Sequence, residues 1–453
     1  MFEALRGALA APDSLIEELS GFSNYFHDAT QHTAEPAALL IAESVDDIII
    51  AVRHCRDYGI PITTRGAGTG LSGGCVASPG ALLLSTERLD DIDVDPFHRI
   101  ALCGPGVITK DLQDLAATFG LTYPPDPASY TESTLGGNVA EGAGGLRCKK
   151  YGVTKDYVIG LEAVTAAAET VQTGYFSGQR GLNFGDVFIA SEGTLGIITR
   201  IAVRLTPTPP RGITILAGFD SMAGAARTVS EITAAGIVPA VLEFVDGDAI
   251  ACVNSYTPTK GLDQAEALLL IETGGEQSAS EKTAIESICK RNRASLLRTE
   301  ADPEKAESLW KIRRTVSTAV RAISRYAVSE DVVVPISRFP DLVGFVAEMN
   351  AASSLRINSF GHAGDGNLHV YFISADASPA DLTRIDEGIA CLMHKTLALG
   401  GTITGEHGVG LAKRQFLQDE FDAPTLAAMK KFKDIFDPNH LLNPDKLFPR
   451  DGN

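Results

Sequence analysis

The sequence predicts a protein of mixed α and β structure in two main domains, and three observations carry that prediction. Apolar residues recur at helical spacing in some stretches and at every second position in others. Thr206-Pro207-Thr208-Pro209-Pro210 interrupts both patterns, because clustered prolines continue neither a helix nor a central strand. A chain of 453 residues is also long enough for two or three substantial cores.

Before the prolines, Ser44 can cap a helix with Ile48, Ile49 and Val52 on one stripe, ended by Gly59 and Pro61. Residues 60–64, 81–85 and 99–103 read as strands. Thr109 starts a second helix with Leu112, Leu115, Ala116 and Phe119 inward, stopped by Gly120. Three glycine-rich stretches follow one another at 65–74, 134–145 and 191–199. After the prolines, strands and helices alternate to about residue 420. Asp302-Pro303 opens a long helix with Leu309, Ile312, Val316, Ala319 and Ile323 inward. The tail FDPNHLLNPDKLFP is too short to fold alone and must pack on an existing domain. No internal repeat or low-complexity segment is present.

Bulk properties narrow the function. With 44% hydrophobic and 21% charged residues, the composition is that of a soluble globular protein. A formal net charge of -18 disfavours nucleic acid and anionic lipid as partners. No run reaches the length of a transmembrane span, and the early acidic residues argue against a secretory signal. Seven scattered cysteines without a CxxC pair fit a reducing cytoplasm and carry no iron–sulfur cluster.

The most chemical segment is SFGHAGDGNLHVY, followed about forty residues later by TGEHGVG. Gly364 and Gly366 favour a turn over a helix, and the alternation after it reads as a strand. That turn can return His362 beside His369. A lone strand histidine would read as a satisfied core residue. Two around a glycine turn, with Glu406 and His407 in a second glycine-rich loop, read instead as metal-assisted chemistry. Two imidazoles and a carboxylate form a common ligand set for a catalytic divalent metal, with the spare His407 as base.

RGAGTGLSGG contains Gly68-x-Gly70-x-x-Gly73 but is not followed by an amphipathic helix, so a dinucleotide fingerprint is a weak match. No lysine follows it, which excludes a Walker loop. A glycine-rich turn can still cradle pyrophosphate with successive backbone N–H groups, helped by the Thr69 and Ser72 hydroxyls. The alternative is a flexible surface loop. Three such stretches suit a long cofactor such as FAD, backbone approach to a large planar ligand being a reason for glycine.

Taken in order, PITTRGAGTGLSGG, PPDPASYTESTLGGNVAEGAGG, KYGVTKDYVIGLEAV, SEGTLGIIT, GHAGDGNLH, GEHGVG and FDPNHLLNPDKLF resemble the FAD-linked 2-hydroxyacid dehydrogenases over nearly the whole chain. That family includes cytochrome-type D-lactate dehydrogenase, the glycolate oxidase flavin subunit and D-2-hydroxyglutarate dehydrogenase. The resemblance implies an α+β fold: a two-part FAD-binding domain of the vanillyl-alcohol oxidase (PCMH) type, plus an α+β cap domain with an antiparallel sheet. The expected division is 1–210 for the FAD domain, 211–420 for the substrate and metal cap, and 421–453 returning to the FAD domain. By the same likeness Arg65, Gly66, Ala67, Gly68, Thr69, Gly70, Leu71 and Ser72 would hold the pyrophosphate. Pro125, Asp126, Thr134, Gly136, Gly137, Asn138, Gly144, Gly145, Tyr151, Gly152, Gly193, Gly196 and Ile198 would line the rest of the FAD, closed by Asn443. His362, His369 and Glu406 would hold zinc, iron or manganese, and His407 would be the base. Arg313 would contact the substrate carboxylate, with Ser317 one turn away on its helix face; the alternative for Arg313 is a solvated helix charge. Trp310 reads as a packing residue.

The departures are informative. Ser329 and Tyr371 stand where the hydroxyglutarate enzymes place Lys and Asn, which removes anchors for a second carboxylate. The expected substrate is therefore a small D-2-hydroxy acid, D-lactate or glycolate. The arginine–glycine loop lacks His and Cys, so the FAD should be non-covalent. TAAAET at 165–170 replaces an Asp-Gly hairpin turn and has no functional reading. Electrons would leave through an iron–sulfur subunit, an electron-transfer flavoprotein or a quinone. The expected location is cytoplasmic, peripheral to a membrane only through a partner subunit, and the sequence leaves a monomer or homodimer open. The alternatives are a D-2-hydroxyglutarate dehydrogenase, a flavin electron-transfer subunit, a nicotinamide dehydrogenase and a metallohydrolase.

Overall fold

Two units divide the chain in the computed structural model, which describes residues 1–178, 183–257, 265–275, 277–324 and 326–448. The first unit comprises Met1–Gly144, Gly152–Thr208 and Glu406–Asn453. Within it, Ser44 caps the Val45–Tyr58 helix by accepting from the Asp47 N–H at 3.1 Å, and Gly59 ends it with φ 66°. That helix joins the Ala38–Ile41 and Ile62–Arg65 strands, which pair in parallel on either side of Leu82–Ser85. All four positions of Ala38–Ile41 and of Leu82–Ser85 are buried, as strands covered on both faces require. Leu40, Ile48, Val52, Ile62 and Leu84 fill the core between sheet and helix.

A five-stranded antiparallel sheet completes this unit, in the order Ile92–Asp95, Ile100–Cys103, Ile197–Arg204, Val158–Val164, Thr170–Gln172. After the Ala423–Phe436 helix, the buried Asp437 accepts from the Leu441 and Leu442 amides at 2.8 and 2.7 Å. Leu442 is thereby laid beside Ile62, extending the first sheet.

The second unit is Gly145–Tyr151 with Pro209–Gly405. Its seven strands are antiparallel throughout, in the order Ala294–Glu300, Thr214–Phe219, Ala267–Glu272, Val241–Asp246, Arg356–Gly361, Asn367–Ser374, Tyr326–Val333. The Gly247–Tyr256 and Pro303–Ala322 helices pack on one face over Val241, Val245, Leu268, Phe360 and Tyr371. Asp302 caps the longer helix on the Glu304 N–H at 2.9 Å.

Four local expectations change. Phe119 and Ile323 are 48% and 39% exposed, because their helices close at Ala117 and Ala322 before either can turn inward. The 134–145 stretch is not a loop throughout: Leu135–Glu141 is helical, capped by Thr134. Thr206–Pro207 forms a short strand against Leu121–Thr122, since a two-residue ladder tolerates a proline that a central strand would not.

Candidate active site

In the second unit, the Arg356–Gly361 and Asn367–Ser374 strands form a hairpin whose short turn, Ala363–Asp365, ends at Gly366 with φ 78°. A Cβ there would lie 2.1 Å from the Val334 carbonyl oxygen, so only glycine fits. The hairpin sets the His362 and His369 rings 5.2 Å apart between centroids and nearly perpendicular, at 89°. Both are buried.

Glu243, from the Val241–Asp246 strand and fully buried, organises this corner. One carboxylate oxygen meets His362 Nδ1 at 2.7 Å, and the other accepts from Arg313 Nε at 2.6 Å. With Nδ1–H given to the carboxylate, the ring's lone pair is on Nε2, the arrangement a metal ligand needs. Burial alone would raise the Glu243 carboxyl, but the Arg313 charge and the hydrogen bonds from His362 and Arg313 outweigh it and hold the pKa below the usual carboxylate range. Arg313 is 7% exposed and stacks its guanidinium 4.9 Å from the Phe360 ring centre, so it is not a solvated helix charge. Ser317, one turn on, is half-buried. Trp310 is buried and donates to Thr214 Oγ1 at 3.2 Å, a packing arrangement.

Asp331 lies opposite His369 in register and accepts from the Gly405 N–H at 2.7 Å. Glu406 is the next residue along the chain. His362 and His369 both lie in the second unit, whose last residue is Gly405, and each offers an imidazole nitrogen to a metal ion.

In the first unit, the glycine segment leaves the end of the Ile62–Arg65 strand. The Arg65 guanidinium packs against Gly68 and donates to the His27 and Asn24 carbonyls at 2.7 and 3.1 Å. A Cβ at Gly66 would sit 2.2 Å from Thr134 Oγ1, the oxygen that caps the Leu135–Glu141 helix through the Gly137 N–H. Loop and helix start are therefore in contact. A cavity opens beside them, walled by Gly66 to Leu71, by Thr134, Gly137, Asn138 and Gly144, and by Glu406 and His407. A second chamber shares Gly66, Cys75, Gly137 and Glu141 with the first and adds Gly136, Gly193, Gly196, Ile198 and Asn443.

Asn443 ties these segments together. Its Oδ1 accepts from the Thr64 N–H at 3.1 Å, and its Nδ2 donates to the Gly74 and Glu192 carbonyls at 3.3 and 2.7 Å. The Glu192 carboxylate in turn accepts from the Val409 and Gly410 amides at 2.7 Å each, fixing the backbone just after His407.

Residues 208–447 match the family of the FAD linked oxidases, C-terminal domain, and residues 36–174 match that of the FAD binding domain. The glycolate oxidase subunit GlcD of Bacillus subtilis (strain 168) is 38% identical over 98% of this chain and 96% of its own length. The chain belongs to the FAD-linked oxidases. A D-lactate dehydrogenase of Anaerostipes hadrus is 31% identical over 94% of this FAD-linked oxidase and 92% of its own length. The fold agrees as well: p-cresol methylhydroxylase superposes with a TM-score of 0.81 at 16% identity, covering 99% of this chain and 96% of that one. This is the PCMH-type, α+β architecture expected from the sequence. No helix among the described residues is long and apolar enough to cross a membrane.

Two glycines of these walls leave the open space that backbone approach by a cofactor needs. A Cβ added at Gly70 would have no protein atom closer than 4.0 Å, and one at Gly137 would meet only Thr134 Oγ1 at 3.2 Å. Gly66, Gly136, Gly193 and Gly196 differ, being required by Thr134, Pro105, Asn443 and Phe188 respectively. These four glycines thus answer to neighbouring protein, while Gly70 and Gly137 leave room on the cavity side. Arg65, the fully buried Ser72, Pro125, Asp126, Gly145, Tyr151 and Gly152 line neither chamber. Pro127, Ala128, Ser129 and Ser133 line the first chamber instead.

Sequence reasoning missed Glu243 and Glu192. Each had a signal: Glu243 is the acid inside the strand run VLEFVD, and Glu192 sits in SEGTLG, whose glycines drew the attention.

Proposed function

We propose that this oxidase converts a small D-2-hydroxy acid, D-lactate or glycolate, to the 2-oxo acid and passes the electrons to a partner protein or a quinone. The observation that carries the reading is the buried His362–Glu243–Arg313 chain beside a second imidazole. The names of the full-length relatives support the substrate class.

In this reading His362, His369 and Glu406 hold a divalent metal, which supplies Lewis acidity toward the substrate's hydroxyl and carboxylate oxygens. FAD, when bound, supplies the two-electron acceptor. His407 takes the hydroxyl proton on an imidazole nitrogen. Arg313, its Nε engaged by Glu243, has its two terminal nitrogens for the substrate carboxylate. Ser329 and Tyr371 face each other in register on neighbouring strands, and Tyr371 is stacked on Phe360 at 5.1 Å. A phenol packed there favours a short substrate over a dicarboxylate.

The test is anaerobic mixing of the FAD-loaded enzyme with glycolate, D- and L-lactate and D-2-hydroxyglutarate, following flavin absorbance. Bleaching is expected with glycolate or D-lactate, and His407→Ala should slow it by about 10²–10⁴-fold. Bleaching by D-2-hydroxyglutarate alone would move the assignment to that substrate. No bleaching with any acid would leave a flavin electron-transfer subunit.

A further inference from the structure

Glu141, the last residue of the Leu135–Glu141 helix, stands where the two chambers of the FAD cavity meet and lines both. The residue retains partly accessible surface although its carboxyl is deep in the unit, so that surface opens on the cavity. The carboxyl lies against two glycines. A Cβ at Gly74 would lie 2.8 Å from one of its oxygens, and a Cβ at Gly408 would lie 2.5 Å from the other.

Among the acids of these walls, Asp28 and Glu192 are already satisfied. Asp28 accepts from the Thr30 and Gly73 amides at 2.8 and 2.9 Å. Glu192 accepts from the Val409 and Gly410 amides. Among the described residues, Glu141 has only the Ser72 hydroxyl, 3.4 Å from each carboxyl oxygen, and that hydroxyl also serves the Gly74 N–H at 3.1 Å. A carboxylate so poorly supplied with donors, beside two other acids, is better kept as the neutral acid. Burial first, then the Glu192 and Asp28 charges, push its pKa well above the usual range.

A neutral carboxyl needs an acceptor for its O–H, and FAD, were it bound in this cavity, would offer many acceptor oxygens and ring nitrogens. We propose that Glu141 is a cofactor-contacting residue whose carboxylic O–H donates a hydrogen bond to bound FAD. The idea depends on FAD occupying this cavity and not on the identity of the hydroxy acid.

The test strips the full-length protein of FAD and titrates it back. Glu141→Gln keeps shape, neutrality and a donor, so FAD affinity should stay within about threefold of wild type. Glu141→Leu lacks the donor and should bind about tenfold more weakly. Gln binding FAD about tenfold more tightly would mean that an ionised Glu141 repels the pyrophosphate, and would overturn the proposal. So would wild-type affinity in the Leu variant. If Leu fails to fold, infrared difference spectroscopy on the wild type decides. A protonated-carboxyl band that shifts on FAD addition and is missing in Glu141→Gln supports the proposal, and no such band overturns it.

Discussion

The His362–His369 corner stands on two strands hydrogen-bonded along their length, whereas the cavity beside Gly66–Leu71 is assembled from segments that are hundreds of residues apart. The corner's side chains are oriented by buried charge: Glu243 holds an imidazole and a guanidinium together. The cavity's walls are held mainly by amide hydrogen bonds, with Asn443 and Glu192 each gripping backbone from another segment. A charge-built site fails when one partner is removed, because the other is left buried and unpaired. A backbone-stitched site loses its shape in smaller steps, one hydrogen bond at a time.

The largest effect should therefore come from Glu243. Replacing it with Leu leaves Arg313 buried without its carboxylate and His362 Nδ1 without an acceptor. The expected loss is about 3–5 kcal/mol of unfolding free energy, measured by chemical denaturation. Glu243→Leu combined with Arg313→Met should recover most of that stability but no turnover, since the apolar pair packs without orienting anything. A single-variant loss below about 1 kcal/mol would mean that the corner is not built on charge.

Asn443→Ala tests the other side of the contrast. It removes three hydrogen bonds at a residue with φ 43°, a conformation asparagine tolerates better than alanine. At about 1 kcal/mol per bond, stability should fall by roughly 2–3 kcal/mol, with weaker FAD retention on gel filtration. An unchanged melting temperature would show that the tail does not hold the cavity.

The same contrast explains what the sequence could say. The two histidines were legible because Gly364, Gly366 and the alternation after them force a hairpin, and a hairpin corner brings its flanks together. Their carboxylate partner was not, because Glu243 lies some 120 positions earlier and sheet order, not spacing, makes Val241–Asp246 the neighbour of Arg356–Gly361. Arg65 was legible as part of the glycine segment, yet its direction was not. Only the fold shows that the Asn24 and His27 carbonyls claim its guanidinium. Phe119 and Ile323 fit their helical stripes on paper, but helix ends are where periodicity stops constraining a side chain.

Glycines offer a sharper cut, because some answer to protein and others to the cavity. Gly70→Ala introduces a Cβ into open space, so the FAD-free protein should keep its stability within about 0.5 kcal/mol. FAD affinity should nevertheless fall by about tenfold if cofactor backbone approach explains this glycine. Gly66→Ala should instead destabilise the FAD-free protein, by about 1–3 kcal/mol, through its clash with Thr134 Oγ1. Equal behaviour of the two variants would erase the distinction.

The smallest expected effect lies away from both sites, in the hairpin between Val158–Val164 and Thr170–Gln172. TAAAET lacks the glycine such a turn prefers, yet the turn forms: the Ala168 N–H bonds to the Thr165 carbonyl, and the Thr165 N–H to that of Glu169, each at 2.9 Å. Ala168 takes the left-handed conformation with φ 60°, where its Cβ meets steric resistance that glycine avoids. Its methyl is buried in the core around Leu40 and Ile48, and losing that contact offsets part of the gain. Ala168→Gly should therefore raise unfolding free energy by only about 0.5–1 kcal/mol, with FAD affinity unchanged. A loss of stability would mean that the buried methyl outweighs the strained backbone, and that the alanine is there for packing.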